Sequence, residues 1–355
     1  MRKEDLRPES FAQCPLPIAQ HDTVQLGHGS GGVMMHDLID RLFRWAFDNP
    51  ELNRMDDQAV VTIDRNRIAI STDSFVVDPL FFPGGDIGEL AVYGTVNDIA
   101  MCGAKPSFLT AGFIIEEGFS LRDLQKIVVS MRDAALSCGV TIVTGDTKVV
   151  NKGKGDKLFI NTTGIGQIEH DFTISGSNIQ PDDVIILSGS IAEHGIAVLS
   201  QRAGLAFETS IVSDAAPLHE LVQVMIAAGG DAVHALRDPT RGGVAATLNE
   251  FASSSKVGIR VIEKAIPIQP AVVSACGLLG LDPLHVANEG KLIAAISPKA
   301  ADRVLAAMRS QPRGASAAII GSATLSDPGQ VQLQTILGSW RMLDMPVGEQ
   351  LPRIC

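Results

Sequence analysis

The segment HDFTISGSNIQPDD, around residues 170 to 182, divides the chain into two halves, each mixing strand-like and helix-like apolar runs. It is polar and rich in turn residues, which is how one packed unit ends and another begins. With 355 residues, 45% hydrophobic content and a mean hydropathy of +0.20, there is enough apolar material for two filled cores. We read residues 1–22 as a leader, 23–170 as an N-terminal domain, 171–336 as a C-terminal α/β domain and 337–355 as a mobile tail.

In the first half, VMMHDLIDRLFRWAF has helical spacing, and AVVTI and RIAISTDSFVV, joined by DRN, read as a hairpin. GGDIGELAVYGTVNDIAMCGAKP reads as a helix begun after Gly-Gly and stopped near Gly103 and Pro106. Strand-like SFLTAGFIIEE, helical LRDLQKIVVSMRDAALSCG and the strands VTIVTGD and KLFINTTGIGQIE follow. The second half carries helices around 193–203, 217–229, 243–255 and 299–310, with strands at VIILSGS, GIRVIE, KLIAAIS, AAIIGSATL and QVQLQTI. Mixed rather than alternating elements predict two α+β units. Beyond Leu337 there is no helical or strand period, and eighteen extended residues reach roughly 60 Å.

A net charge of -11 disfavours a nucleic-acid backbone or an anionic membrane as partner. Cys14, Cys102, Cys138, Cys276 and Cys355 are odd in number and form no C-x-x-C pair, which fits a reduced cytoplasm rather than a disulfide framework or a zinc site. No apolar h-region opens the chain and no stretch reaches the length of a membrane span.

Chemistry concentrates where apolar runs end. GHGSGG satisfies G-x-G-x-x-G with Gly27, Gly29 and Gly32, yet lacks the full preceding strand of a dinucleotide site. As a flexible loop, its Gly29, Gly31 and Gly32 could still bring backbone N–H groups over phosphates. No P-loop is present, so a nucleotide would have to be held through metal and carboxylates. Asp56, Asp57, Asp73, Asn97, Asp98 and Asp146 stand at strand starts or ends of apolar runs, where turn or cap roles compete with magnesium binding. RDPTRGGVAATLNEF places Asp238, Thr240 and a Gly-Gly pair at a helix start, suited to an anion or simply to a cap. Lys148, Glu289 and His28 are charges or ionisable groups beside short apolar segments, where a solvent-facing role competes with function. Cys355, the last residue given, is a thiol on an extended arm.

Taken in order, GHGSGG, STDSFVVDPLFFPGGDIGELAVYGTVNDIAMCGAKP, TGDTKVV, DPTRGG, NEGK and the final PRIC resemble the HypE family of hydrogenase maturation factors, from about residue 24 to the last. The middle motifs alone would place it only in the wider superfamily of aminoimidazole ribonucleotide synthetase, selenophosphate synthetase and thiamine monophosphate kinase. The resemblance implies a two-domain α/β fold of the aminoimidazole ribonucleotide synthetase type. It also implies a homodimer whose N-terminal strands combine into a barrel, and ATP with Mg2+ bound between the domains. It further implies that Cys355 receives a carbamoyl group from the carbamoyltransferase HypF, and that ATP-dependent dehydration yields a thiocyanate. The cyanide then passes to iron on a HypC-HypD scaffold for nickel-iron hydrogenase.

By motif, Asp57, Asp73, Asp98 and Asp146 are expected to bind magnesium. Gly29, Gly31, Gly32, Asn97, Asp238 and Thr240 are expected to bind ATP with them, and Lys148 and Glu289 to position and deprotonate the thiocarboxamide. Arg353 is expected to offset the repulsion between the Cys355 thiolate and the adjacent α-carboxylate. Two rival readings remain at this stage. One is a small-molecule phosphotransferase such as a selenophosphate synthetase, for which the glycine loop lacks a reactive cysteine; the other is a non-catalytic carrier whose tail only docks.

Overall fold

The computed structural model describes residues 26–47, 49–64, 66–204, 211–347, 351 and 353–355; the leader and Cys14 lie outside them. The expected first helix is a continuous helical path of α1 (Val33–Leu38), a π-helical stretch Ile39–Phe43 and α2 (Arg44–Phe47). Then come the hairpin β1 (Ala59–Ile63) and β2 (Asn66–Phe75), with Ile63 opposite Asn66, and the small ribbon β3 (Phe81–Phe82) and β4 (Gly85–Asp86). Helix α3 (Ile87–Ala100), β5 (Lys105–Glu116), α4 (Leu121–Ser137), β6 (Thr141–Val150) and β7 (Leu158–Ile168) complete the unit. Its sheet runs β1-β2-β7-β5-β6, antiparallel except for the parallel pair β5 and β6 that α4 connects.

Local chemistry fixes α3 on this sheet. Asp86 caps it, its Oδ1 accepting from Gly88 N at 2.7 Å and Glu89 N at 3.2 Å, while Ser130 Oγ of α4 donates to the same oxygen at 2.7 Å. Gly88 lets the two helices touch, since a Cβ there would stand 2.4 Å from Ile127 O. Nearly every residue of α3 is buried, which is why it reads as apolar all round.

The second unit contains β8 (Val184–Leu187), α5 (Glu193–Ala203), α6 (His219–Gly229), β9 (Val233–Arg237), α7 (Gly243–Ser255), β10 (Gly258–Ile262), α8 (Pro270–Leu279), β11 (Ile293–Ile296), α9 (Pro298–Arg309), β12 (Ala318–Thr324), β13 (Val331–Gln334) and β14 (Trp340–Met342). The sheet order is β14-β13-β10-β12-β8-β11-β9, antiparallel but for β10 and β13. Both faces are covered. Ile185, Leu187, Ile293 and Ala295 pack with Leu248, Phe251 and Val272 on one side, while Ile186, Ala294 and Ile296 pack with Leu221, Met225, Val304 and Met308 on the other. That double burial explains the unbroken apolar runs of β8 and β11.

Besides the short ribbon β3–β4, three elements depart from the sequence expectation. Strand β9 and helix α8 were not anticipated, because VHALR is short and PAVVSACGLL carries adjacent valines and a glycine that blur its period. Within the tail, β14 pairs with β13, Trp340 opposite Gln334, and Leu343 is fully buried with its N–H donating to Val331 O at 2.9 Å. All three β14 residues are exposed at the sheet edge, so no alternation marks the strand.

Candidate active site

Four carboxylates from four separate elements converge on one cleft: Asp73 from β2, Asp98 from α3, Asp238 just after β9 and Glu289 in the turn before β11. Thr240, Arg241 and Cys355 share its walls. Asp57, just ahead of β1, is drawn to the second unit by Arg237, whose Nε donates to Asp57 Oδ1 at 2.6 Å. Arg237 also donates to Glu250 Oε2 and to Met55 O, each at 2.6 Å, and Glu250 Oε1 lies 2.9 Å from His36 Nε2 on α1.

Burial and crowding of like charge set the electrostatics. The carboxyls of Asp98 and Asp238 are pushed well above the ordinary range, first by burial and then by mutual repulsion with Asp73 and Asp57. Asp73 is raised by burial despite Arg241, and Asp57 is raised to about 6 by burial despite Arg237. Glu289 is also raised well above its usual value, by burial and then by Asp238, Asp214 and Asp73, and its Oε1 is buried without a hydrogen-bond partner. Ser71 Oγ donates to Asp98 Oδ2 at 2.6 Å, the cluster's neutral support.

The donor set fits a hard cation. The oxygens on offer are carboxylates whose charge Arg237 and Arg241 offset only in part, although among the described residues no three acidic, histidine or cysteine side chains close on a point as a ready-made metal cage. Magnesium held by one or two carboxylates and completed by phosphate oxygens and water suits such an open arrangement.

The glycine loop closes over Arg241. At Gly31, which adopts φ +74°, a Cβ would meet Arg241 O at 2.6 Å; at Gly32 it would meet Pro346 O at 2.1 Å. The loop therefore packs against the DPTRGG turn and the tail together. Gly29 ends the short turn Leu26–Gly29, which also holds His28.

The tail ends inside the site. Val76 N donates to Cys355 O at 2.9 Å, Asp78 N donates to Arg353 O at 3.2 Å, and Ile354 is buried in the first unit's core. Burial pushes the Cys355 thiol up to about 12, with Arg241 opposing and Glu289, Asp73 and Asp238 adding to the rise. Arg353 does not play the expected part: its Nε donates to Val76 O at 2.9 Å and its guanidinium pairs with Asp156, so Arg241 is the cation that faces the thiol.

Other expected residues lie elsewhere. Asn97 is fully buried and its amide is spent on structure, donating to Ala216 O at 3.0 Å and Glu289 O at 3.3 Å and accepting from Leu218 N at 2.8 Å. It holds the Glu289 turn, and both amide N–H groups are taken up there. Asp146 and Lys148 pair with each other at 2.6 Å on the exposed edge strand β6, so this chain alone does not bring them to the cleft.

Several supports were not anticipated: Arg241, although it stands inside the DPTRGG motif, and Asp214. The latter accepts from Glu289 N and Gly290 N, each at 3.2 Å, and from Lys291 Nζ at 2.9 Å. SDAAP carries no apolar period or motif that would single out Asp214.

Both halves of the chain match known domain families. Residues 55–168 match the AIR synthase related protein N-terminal domain, and residues 180–334 match the corresponding C-terminal domain. The chain is 54% identical over 332 residues to the carbamoyl dehydratase HypE of Bradyrhizobium diazoefficiens, covering 94% of this chain and 96% of that one. It resembles the HypE of a solved HypE-HypF complex with a TM-score of 0.83 at 50% identity, over 87% of this chain and 99% of that one. It likewise resembles a hydrogenase maturation protein HypE solved in complex with ATP, with a TM-score of 0.79 at 49% identity, over 94% of this chain and 100% of that one. The chain therefore belongs to the HypE family, the carbamoyl dehydratases of hydrogenase maturation, built on paired AIR synthase related domains.

Proposed function

We propose that this protein dehydrates a carbamoyl group carried on Cys355 to a thiocyanate at the expense of ATP, supplying cyanide for the iron of nickel-iron hydrogenase. The observation that carries the reading is the seating of the Cys355 side chain in a cleft that also presents Glu289, Arg241 and the acid cluster. A thiol used only for docking has no need of a buried carboxyl with a free oxygen beside it. A small-molecule phosphotransferase would leave that cleft open to its substrate rather than fill it with its own tail.

The chemistry balances without another reactant. The γ-phosphoryl group of ATP passes to the carbamoyl oxygen, which turns a poor leaving group into phosphate while the nitrogen gives up one proton. The carbon–oxygen bond then breaks, the second N–H proton leaves, and sulfur is left bonded to a nitrile carbon. The products are thiocyanate, ADP, phosphate and the protons taken from nitrogen.

Glu289 is the base for the nitrogen protons: burial, and then the neighbouring Asp238, Asp214 and Asp73, make its carboxylate hold a proton more tightly than an ordinary glutamate, with Arg241 opposing. Arg241 faces the sulfur and supports the charge that develops on the transferring group. Asp57, Asp73, Asp98 and Asp238 would hold Mg2+ against the phosphates, where the ion supplies charge neutralisation. Gly31 and Gly32 keep the loop close enough to cover the nucleotide.

Two partners follow from this reading. HypF, seen with a HypE relative in a solved complex, loads the thiol, and a HypC-HypD scaffold accepts the product. Asp146 and Lys148 join the site from a second copy, because β6 is an edge strand whose Ile142, Val143 and Val149 are exposed in the single chain. Pairing of β6 with its symmetry mate would remove that edge and form the barrel of the homodimer.

A heavy-oxygen label in the carbamoyl carbonyl tests the mechanism. Transfer of the label into inorganic phosphate supports phosphorylation at that oxygen; label appearing only in water overturns it.

A further inference from the structure

We propose that the groove between residues 76–78 and α5 is a peptide-binding site selective for the tail sequence, in which His194 and Arg202 are positioning residues that set how far Cys355 reaches into the cleft. The inference rests on the dehydratase reading but concerns recognition, not chemistry. Each of the last three residues is read separately. Residues 353 and 355 meet residues 76 and 78 by backbone bonds of the kind an added strand makes. Arg202 bridges the two segments, Nε donating to Asp78 O and Nη2 to Arg353 O, both at 2.7 Å.

His194 is fully buried on α5, its Nε2 2.8 Å from Ile354 O and its Nδ1 2.8 Å from Ser213 Oγ. A carbonyl only accepts, so Nε2 carries the proton and donates to Ile354 O, and Nδ1 accepts from Ser213, whose oxygen in turn accepts from Ala215 N at 3.1 Å. That chain of bonds fixes the imidazole in one tautomer and one direction.

Side chains supply the selectivity. Ile354 is 3% exposed, Arg353 pairs with Asp156, and Leu351 packs between the two cores against Gly195, where a Cβ would come within 3.1 Å of it. The groove thus reads a leucine, an arginine and an isoleucine at fixed steps before the cysteine. A shift of one residue would remove the arginine from Asp156 and place a polar group in the isoleucine pocket.

The test uses the full-length protein and two readouts. The first is the rate at which an alkylating agent modifies Cys355 in the unloaded protein. The second is single-turnover loss of water from carbamoyl-Cys355 after Mg-ATP is added. His194→Ala and Arg202→Gln are each expected to raise alkylation about tenfold and slow water loss about tenfold, the scale set by losing one hydrogen bond to a charged or buried partner. His194→Gln, which keeps a donor, should restore both.

Asp156→Asn, at a half-buried loop position outside both sheets, is expected to act in the same direction with little effect on folding, so it carries the test if His194→Ala fails to melt cooperatively. Unchanged alkylation and water loss in Arg202→Gln and Asp156→Asn would overturn the groove. Failure of the dehydratase reading is separate: the wild-type loaded protein would then lose no water, while the alkylation rates would still report on docking.

Discussion

The side-chain amide of Asn97 donates to the carbonyl of Glu289 at 3.3 Å, tying the last turn of α3 in one domain to the Glu289 turn of the other. The same amide group serves Ala216 and Leu218, so one buried residue fixes two loops at once. Asn97→Ala should cost about 2 to 3 kcal/mol, since several buried backbone groups lose their partner. Chemical denaturation checks the value, and a loss below about 0.5 kcal/mol would contradict the bracing role.

Glu289→Gln keeps the shape and hydrogen-bonding reach of the side chain but cannot take a proton. Mg-ATP binding by calorimetry should be retained while water loss from carbamoyl-Cys355 falls by about a hundredfold or more, the usual scale for a general base. Full dehydration by this variant would reject the assignment.

The acid cluster makes stability depend on pH in a defined direction. A carboxyl whose value is raised on folding binds more protons in the folded than in the unfolded state, so its contribution is lost as pH rises through the folded value. For Asp57 that window runs from 3.8 to about 6, and Asp73, Asp98, Asp238 and Glu289 extend it in the same direction. The ligand-free protein should melt higher at about pH 5, inside that window, than at about pH 7, above it, with the difference narrowing in Mg-ATP. Equal melting at both pH values in the absence of ligand would contradict the crowding.

Asp98→Asn removes the most crowded of these charges. The ligand-free variant should gain about 1 to 2 kcal/mol at pH 8, because an uncompensated buried carboxylate is gone. Its melting temperature should no longer respond to Mg-ATP as the wild type does. Loss of stability together with an intact Mg-ATP response would place the ion elsewhere.

At the β6 edge, Val143 is 55% exposed in the single chain. Val143→Arg should convert a dimer to a monomer in analytical ultracentrifugation and reduce dehydration by withdrawing Asp146 and Lys148 from the neighbouring site. A fully dimeric Val143→Arg protein would move the interface away from this strand.

Much of the fold was legible because burial prints itself on sequence. The hairpin around DRN, the amphipathic α4 and the double-buried strands VIIL and IAAI all carry a period or a run that their packing requires. What stayed hidden had no such imprint: β14 is exposed on all three residues, and α8 begins at Pro270 and mixes valines with glycine.

In the site, the acids near Gly-rich turns were visible as types. Their division of labour was not, because it depends on where long-range packing sends each side chain. Asn97 and Asp98 are neighbours in sequence, yet one is spent on Ala216, Glu289 and Leu218 while the other faces the cleft. Arg241 takes the part expected of Arg353 for the same reason, since the tail's turn at Arg353 sends its guanidinium to Asp156.

The most direct measurement is mass spectrometry of the peptide ending at Cys355, after incubation with the carbamoyltransferase and carbamoyl phosphate, before and after Mg-ATP, with Cys355→Ala as control. The account predicts gain of one carbamoyl group at Cys355 and then ATP-dependent loss of one water, with neither change in the control. An unmodified Cys355 in the presence of active transferase, or a carbamoyl group that survives Mg-ATP intact, would contradict it.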